Sequence, residues 1–174
     1  CSSVMGSLFT SAGAYSADDA ISDLHEPAIG VIELNGTIQY DNSACSPEGL
    51  KALLDRAESN DHIQAVILKV NSGGGVATAG EEMSQIVRDF SKPIVVVSQA
   101  TNASAAYEIS SQADYIFTDR TTAIGAIGVI MSVTDLSGLY DKLGISVDNI
   151  TSADSKDAGS GTRPLTDEER AWYQ

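Results

Sequence analysis

A serine at position 104 lies where an apolar segment gives way to small residues. The apolar segment is 93–97, and the segment 101–107, Thr-Asn-Ala-Ser-Ala-Ala-Tyr, opens a predicted helix. A hydroxyl at a strand-to-helix turn projects from the backbone, beside unpaired N–H groups of the first helical turn that can stabilise an oxyanion. Ser104 is therefore the predicted nucleophile.

The base that would activate this serine is predicted to be a lysine. The two histidines, His25 and His62, lie outside the Gly/Ser-rich loops, so a Ser-His-Asp triad has little support. Of five lysines, only Lys156 lies in a long polar loop, residues 151–161. Its pKa must fall about three units from roughly 10.4 for it to act as a base near neutral pH, and burial in a dry site would supply that shift.

The alternative for Lys156 is a solvated charge with no catalytic role, because loop lysines are rarely buried. Asp154 and Asp157 flank it. Since either carboxylate would hold the proton on the amine if it pointed inward, we expect both to face solvent.

A glycine loop, residues 71–75 (Asn-Ser-Gly-Gly-Gly), lies between a predicted strand and a predicted helix, where α/β sheets bind ligands. A dinucleotide-phosphate loop is one interpretation, but the third glycine of G-x-G-x-x-G would fall at Thr78. A second is an oxyanion hole formed by the N–H groups of Gly75 and Ala105. A tight turn that needs φ > 0 is the third.

The composition excludes several functional classes. The 174 residues contain 10 basic and 24 acidic side chains, a net charge of −14, which disfavours nucleic acid as a partner. The cysteines, Cys1 and Cys45, make no disulfide framework, and no Cys/His cluster has metal-ligand spacing. We therefore expect neither a metal nor a cofactor.

The two ends of the sequence suggest a longer polypeptide. Residues 1–27 are small and then acidic, typical of a flexible tether, and Cys1 is consistent with a lipid-modified cysteine or with a cut after a membrane anchor. Residues 166–169 form a capping box that starts a helix close to the last residue, Gln174. We therefore predict a tether over 1–27 and one domain over 28–174, truncated at its C-terminus.

Strand and helix patterns alternate from Ala28 onward. The predicted strands are 29–38, 63–70, 93–98, 115–118, 127–133 and 145–150, and the predicted helices are 47–59, 77–90, 105–112 and 136–143. This alternation, with β-branched runs expected to be buried on both faces, predicts an α/β fold in which a mainly parallel sheet is joined by crossover helices.

Several segments resemble peptidase family S49, the signal peptide peptidase A group, which shares the Clp-protease/crotonase fold of repeated ββα-type units. They are the glycine loop 71–75, the serine segment 103–109, residues 122–131, and residues 155–170 with their Ser-Lys-Asp and Arg-Pro-Leu-Thr-Asp-Glu-Glu runs. Their order and spacing together are specific to the family.

The resemblance implies a serine endopeptidase with a Ser-Lys dyad. In that mechanism Ser104 attacks a peptide carbonyl, while neutral Lys156 takes the serine proton and returns it to the leaving amine. The resemblance also favours the oxyanion-hole interpretation of Gly75 and Ala105 over the turn.

The family also implies partners and a location. Gly73 and Gly74 would lie beside the substrate backbone, and the substrates would be released signal peptides. The protein would be a homo-oligomeric ring or dome, anchored through its N-terminus on the extracytoplasmic side of a bacterial cell membrane.

Three departures from the family pattern bear on this prediction. Gly73 stands in place of a proline, Ala105 and Ala106 replace two glycines, and Ala126 replaces a serine that would orient the base. Two further hypotheses therefore remain: a phage-type capsid maturation protease of the same family, and a non-catalytic scaffold on a degenerate peptidase fold.

Overall fold

The described part of the chain is residues 24–174, in a computed structural model. The predicted tether over 1–27 thus lies almost entirely outside the described residues, and 24–27 form no helix or strand. The described residues form two compact units, which divide between Val129 and Ile130.

The first unit alternates strands and helices. Its elements are β1 (Ala28–Asn35), α1 (Pro47–Ser59), β2 (Ile63–Asn71), α2 (Ala77–Arg88), β3 (Ile94–Ser98), β4 (Thr101–Ala103), α3 (Ala105–Ser110), β5 (Tyr115–Thr118) and β6 (Ala123–Gly125).

Two parallel sheets organise these strands. The larger has the order β1-β2-β3-β5, and its register aligns Ile32 with Leu68 and Leu68 with Val96. The smaller pairs β4 with β6, on either side of the segment that contains Ser104. The predicted α/β class with parallel strands and crossover helices is confirmed.

One face of the larger sheet forms the core. Ile32, Leu68 and Val96 are fully buried there and cluster with apolar residues of the three helices, among them Leu50, Met83 and Ile109. Such burial contributes about 25 cal/mol for each Å² of apolar surface removed from water. This cluster therefore fixes the sheet ends that carry the glycine loop and Ser104.

The other face of the sheet differs from the prediction. The alternate side chains there are partly or fully exposed, including Ile29, Tyr115 and Phe117. The expected burial on both faces is therefore wrong for the described residues. The β-branched runs suggested it, but such residues suit a half-buried pleated surface equally well.

The second unit contains two short helices, α4 (Ser137–Lys142) and α5 (Asp167–Trp172). The predicted capping box is confirmed, because the Thr166 Oγ1 accepts from the Glu169 N–H at 3.1 Å and the Thr166 N–H donates to Glu169 Oε2 at 2.9 Å. The N–H groups of Thr166 and Glu169 have no acceptor within the helix, and these two hydrogen bonds satisfy them.

The strands predicted at 127–133 and 145–150 are wrong. Neither segment pairs with a neighbouring strand, and Val129, Ile130 and Ile150 are 83%, 90% and 95% exposed. A run of β-branched residues indicates strand propensity, but a strand also needs a partner that accepts its hydrogen bonds. Within residues 24–174, no helix has the length and apolar character needed to cross a membrane.

Candidate active site

Ser104 occupies a constrained backbone position between β4 and α3. Its φ and ψ are 54° and −129°, a left-handed conformation that residues with a Cβ rarely adopt. Hydrogen bonds hold it there: its N–H donates to Gly125 O at 2.8 Å, and its carbonyl accepts from the Tyr107 N–H at 2.9 Å. A sharp strand-to-helix turn of this kind is typical of nucleophilic serines.

A buried polar pair ties together the elements on either side of Ser104. Asn102, in β4, is fully buried and donates through Nδ2 to Ser110 Oγ at 2.9 Å; Ser110 Oγ in turn donates to Ala106 O at 2.8 Å. Neither residue was predicted from the sequence. Asn102 stands two positions before the serine in a small polar segment, and its burial is not evident from residue type.

The glycine loop packs directly against this turn. A Cβ placed on Gly74 would lie 2.8 Å from Ser104 Cβ and 2.9 Å from the Ala105 nitrogen, and Gly74 has a φ of +93°. Only glycine fits at this position without displacing the serine. The loop is held by the Ser72 N–H, which donates to Thr101 O at 2.9 Å, and by the Ala103 N–H, which donates to Ser72 O at 3.1 Å.

Two backbone donors are unengaged, one in the glycine loop and one directly after Ser104. Among the described residues, the N–H groups of Gly75 and Ala105 donate to no protein acceptor. Gly75 is fixed by its neighbours, because the Ile38 N–H donates to Gly74 O at 3.0 Å and the Val76 N–H donates to Ile38 O at 2.9 Å. These N–H groups are thus available to a ligand oxygen.

An open groove runs along the loop. It is lined by residues 71–75 together with Asn35, Gly36, Thr37 and Thr101. Gly73 faces this space, since a Cβ placed on it would meet no atom within 4 Å. Gly73 and Gly74 therefore differ sharply: one borders an open surface and the other touches the serine.

Lys156 lies in the second unit, in a turn that covers residues 154–159. It is exposed, and its Nζ makes no hydrogen bond or ion pair with a described residue. Ser155, just before it, has a φ of 59°. The structure thus places the predicted base on a tight turn, with an amine that has no partner among the described residues. The burial expected of this amine is not seen there, because the turn leaves the side chain exposed.

The two aspartates that flank Lys156 behave differently. Asp154 is exposed, as expected. The expectation for Asp157 is wrong: its side chain is only 18% exposed and pairs with Arg163, whose Nη2 lies 2.6 Å from Asp157 Oδ1. The Arg163 guanidinium, six residues away, outcompetes water for this carboxylate, an interaction that spacing alone does not reveal.

Arg163 also binds Glu169, the acidic member of the helix cap. Its Nη1 donates to Glu169 Oε2 at 2.8 Å, and the Glu169 side chain is 1% exposed. Arg163 and the Thr166 backbone hold the pKa of Glu169 far below its usual range, and Arg163 and Asn149 lower the pKa of Asp157. Both carboxylates therefore remain ionised at neutral pH.

Comparison with known proteins identifies the family. Residues 87–174 match the family model described as Peptidase family S49, and these residues include both Ser104 and Lys156. The chain belongs to peptidase family S49. The family expected from the sequence motifs is thus confirmed.

Several curated relatives support this assignment to family S49. A Methanocaldococcus jannaschii protein is 41% identical over 124 residues, 70% of this chain and 40% of that protein. Protease 4 of Haemophilus influenzae is 32% identical over 132 residues, 72% of this chain and 22% of the enzyme. Capsid assembly protease C of Escherichia phage lambda is 26% identical over 156 residues, 84% of this chain and 35% of the phage protein. The chain spans well under half the length of these relatives.

A solved structure has a similar fold. The membrane-bound stomatin-specific protease 1510-N, as a point mutant, superposes with a TM-score of 0.55 at 22% identity, covering 64% of this chain and 53% of that one. At this identity the likeness concerns the fold alone. The predicted Clp-protease/crotonase class is confirmed.

Ala126, where the S49 pattern has a serine, lies close to the nucleophile turn. It follows Gly125, whose carbonyl accepts the Ser104 N–H, and it has a φ of 50°. It is exposed. The position thus combines a disfavoured backbone conformation with a side chain that has no hydrogen-bonding group.

Proposed function

We propose that this S49 chain is the catalytic part of a serine endopeptidase with the dyad Ser104 and Lys156. The observation that carries the proposal is the left-handed Ser104 turn, which packs against Gly74 beside two unengaged N–H groups. The rest of the fold holds this strained arrangement in place, as expected at a functional site.

The proposed reaction is acyl transfer. Ser104 Oγ attacks the peptide carbonyl, and the neutral Lys156 amine takes the hydroxyl proton and then gives it to the leaving amine. The carbonyl oxygen becomes negative in the tetrahedral intermediate, and the N–H groups of Gly75 and Ala105 would stabilise it; losing one such donor typically costs about 100-fold to 1,000-fold in rate. Water then releases the acyl group from Ser104.

The groove along the glycine loop is the proposed site for the substrate backbone. Its open side at Gly73 leaves room for an extended peptide, and Gly74 lets that peptide approach the serine closely. We further propose that the substrates are released signal peptides, that the enzyme is a membrane-associated homo-oligomer, and that the site faces the extracytoplasmic side. The motifs shared with the signal peptide peptidase A group support this.

Peptide cleavage by the full-length protein tests the dyad. We expect turnover to fall to background in Ser104→Ala and in Lys156→Ala, whereas Lys142→Ala, which removes a lysine from the surface of α4, should behave like wild type. Unchanged turnover in either dyad variant would remove the assignment of that residue.

Capsid maturation is the second candidate function. The phage lambda relative matches 84% of this chain, compared with 70% and 72% for the Methanocaldococcus and Haemophilus relatives. The experiment offers the enzyme a signal-peptide mixture and a phage scaffold protein in parallel. Preferential cleavage of the scaffold protein, with signal peptides left intact, would replace the leading substrate class.

A non-catalytic scaffold is the third hypothesis, motivated by Ala126 and by the alanines after Ser104. A serine-reactive fluorophosphonate separates it from both peptidase hypotheses. We expect labelling of Ser104, detected by peptide mass spectrometry and absent in Ser104→Ala. Absence of labelling in a folded wild-type protein would favour the scaffold.

A further inference from the structure

The turn that carries Lys156 is fastened on both sides of the lysine. Asp157, which follows it, receives hydrogen bonds from Arg163 Nη2 at 2.6 Å and from Asn149 Nδ2 at 2.9 Å. Ser155, which precedes it, is held through its backbone, because its carbonyl accepts from the Ala158 N–H at 3.0 Å. Lys156 itself contributes no side-chain hydrogen bond. Its neighbours therefore determine where its backbone lies.

Arg163 connects this turn to the start of helix α5. The guanidinium binds Asp157 through Nε and Nη2, and Glu169 through both terminal nitrogens, while Nη1 also donates to Pro164 O at 3.0 Å. A planar guanidinium can serve two carboxylates in this way, whereas an ammonium group lacks the same fixed geometry. Because Glu169 is buried in the helix cap, Arg163 joins a rigid element to the lysine turn.

We infer that Asp157 and Arg163 are positioning residues for Lys156: they fix the backbone of the turn, and with it the direction in which the amine projects. The inference rests on the proposed function, since it concerns the proposed base. A base must reach its proton donor within hydrogen-bonding distance, so small displacements of its backbone are costly.

A role confined to stability is the competing explanation, and the structure separates the two halves of the network. Glu169 and Thr166 complete the helix cap by themselves. Asp157 adds the link to the lysine turn. Asp157→Asn keeps the side-chain size and leaves the contact between Arg163 and Glu169 intact, so it loosens the turn without removing the cap.

Asp154→Asn is the matched control. Asp154 lies two residues before Lys156, carries the same charge as Asp157, is exposed, and hydrogen-bonds to no described residue. Both variants remove one negative charge near the amine, but only Asp157→Asn removes an ion pair, the one with Arg163. A difference between them therefore reports position and not local charge.

The experiment measures kcat and KM separately for peptide cleavage by the full-length protein at neutral pH. We expect Asp157→Asn to lose on the order of tenfold to 100-fold in kcat. KM should stay within about twofold of wild type, because a displaced base slows proton transfer without weakening the binding of the peptide. Asp154→Asn should stay within about twofold of wild type.

Arg163→Lys provides a second variant that preserves charge. It should lie between wild type and Asp157→Asn, because an ammonium retains the attraction but not the two-carboxylate geometry. Equal kcat values for Asp157→Asn and Asp154→Asn would overturn the inference. So would a lowered Tm with an unchanged kcat per folded molecule, because that pattern reports instability alone.

A readout that needs no turnover keeps this inference distinct from the proposed function. Hydrogen–deuterium exchange of residues 153–160, followed by mass spectrometry, reports how firmly the backbone of the turn is held. We expect faster exchange in Asp157→Asn and not in Asp154→Asn. Coincident profiles would overturn the positioning role, whereas failure of the wild type to cleave peptides or label at Ser104 would overturn the proposed function.

Discussion

The nucleophile turn and the lysine turn are held by different forces. Around Ser104 the restraints are backbone hydrogen bonds, a glycine contact and the buried pair of Asn102 and Ser110. Around Lys156 they are charged side chains, chiefly Arg163 with its two carboxylates. Steric and neutral restraints are insensitive to pH and salt, whereas ion pairs are not. The two turns should therefore respond to different perturbations.

The largest expected effect is a steric change at the nucleophile turn. Gly74→Val would force a side chain into Ser104 and Ala105 at a positive φ, so we expect activity to fall at least about 100-fold and stability to fall by about 1–3 kcal/mol. Peptide turnover and urea unfolding measure the two effects.

Gly73→Val is the control for this change. A side chain at Gly73 meets open space, so stability should stay within about 0.5 kcal/mol of wild type. Similar unfolding midpoints for the two valine variants would contradict the contact between Gly74 and Ser104.

Loss of the buried pair should have the next largest effect. Asn102→Ala removes a fully buried hydrogen-bonding side chain, and we expect a destabilisation of about 1–3 kcal/mol with slower labelling of Ser104. Ser111→Ala, at the exposed residue that directly follows α3, should change neither quantity appreciably. If both variants labelled at the wild-type rate, the pair would not control the serine.

The lysine turn should respond to acid where the nucleophile turn does not. Because pairing with Arg163 lowers the pKa values of Glu169 and Asp157, their stabilising contribution is complete above the unfolded pKa of about 4 and is lost as pH falls through the lower folded values. The Tm difference between wild type and Glu169→Gln should stay constant from pH 7 to 5 and narrow below about pH 4.

The corresponding measurement for Asn102→Ala gives the contrast. Its Tm difference from wild type should not depend on pH over this range, since neither Asn102 nor Ser110 titrates. Parallel pH dependence in the two variants would show that the turns are not held by different forces.

The smallest predicted effect is that of Gly73→Pro, which introduces the proline of the S49 pattern. Gly73→Pro loses no hydrogen bond, because the Gly73 N–H donates to no described acceptor, and a Cβ at this position meets no atom within 4 Å. We expect a gain of about 0.4–1 kcal/mol through reduced entropy of the unfolded chain, with activity retained. Thermal unfolding measures the gain, and a loss of stability would show that the loop needs glycine here.

Long periodic elements were predictable from the sequence. Helix α1 occupies the predicted residues, since Pro47 at the first helical position and the Ser46 cap mark its start. The parallel sheet follows from buried β-branched runs such as residues 63–70. The three-residue strands β4 and β6 were not predictable, because they are too short to show a hydrophobic period.

Side-chain partners were harder to predict than backbone placement. The position of Ser104 between strand and helix was predicted, but its left-handed backbone and its contact with Gly74 depend on how the glycine loop packs. Likewise, Asp157 lies in a polar loop that looks solvated. Its pairing with Arg163 arises only when the chain turns back over six residues.

The left-handed backbone conformation of Ser104 lowers the thermal stability of the protein. A glycine would adopt φ near 54° without the penalty that a Cβ carries, so replacing the serine would relax the turn. Selection of variants for heat resistance alone would therefore favour replacement of Ser104 by glycine, which gives an inactive protein. Engineering a hardier enzyme therefore has to retain a selection for turnover.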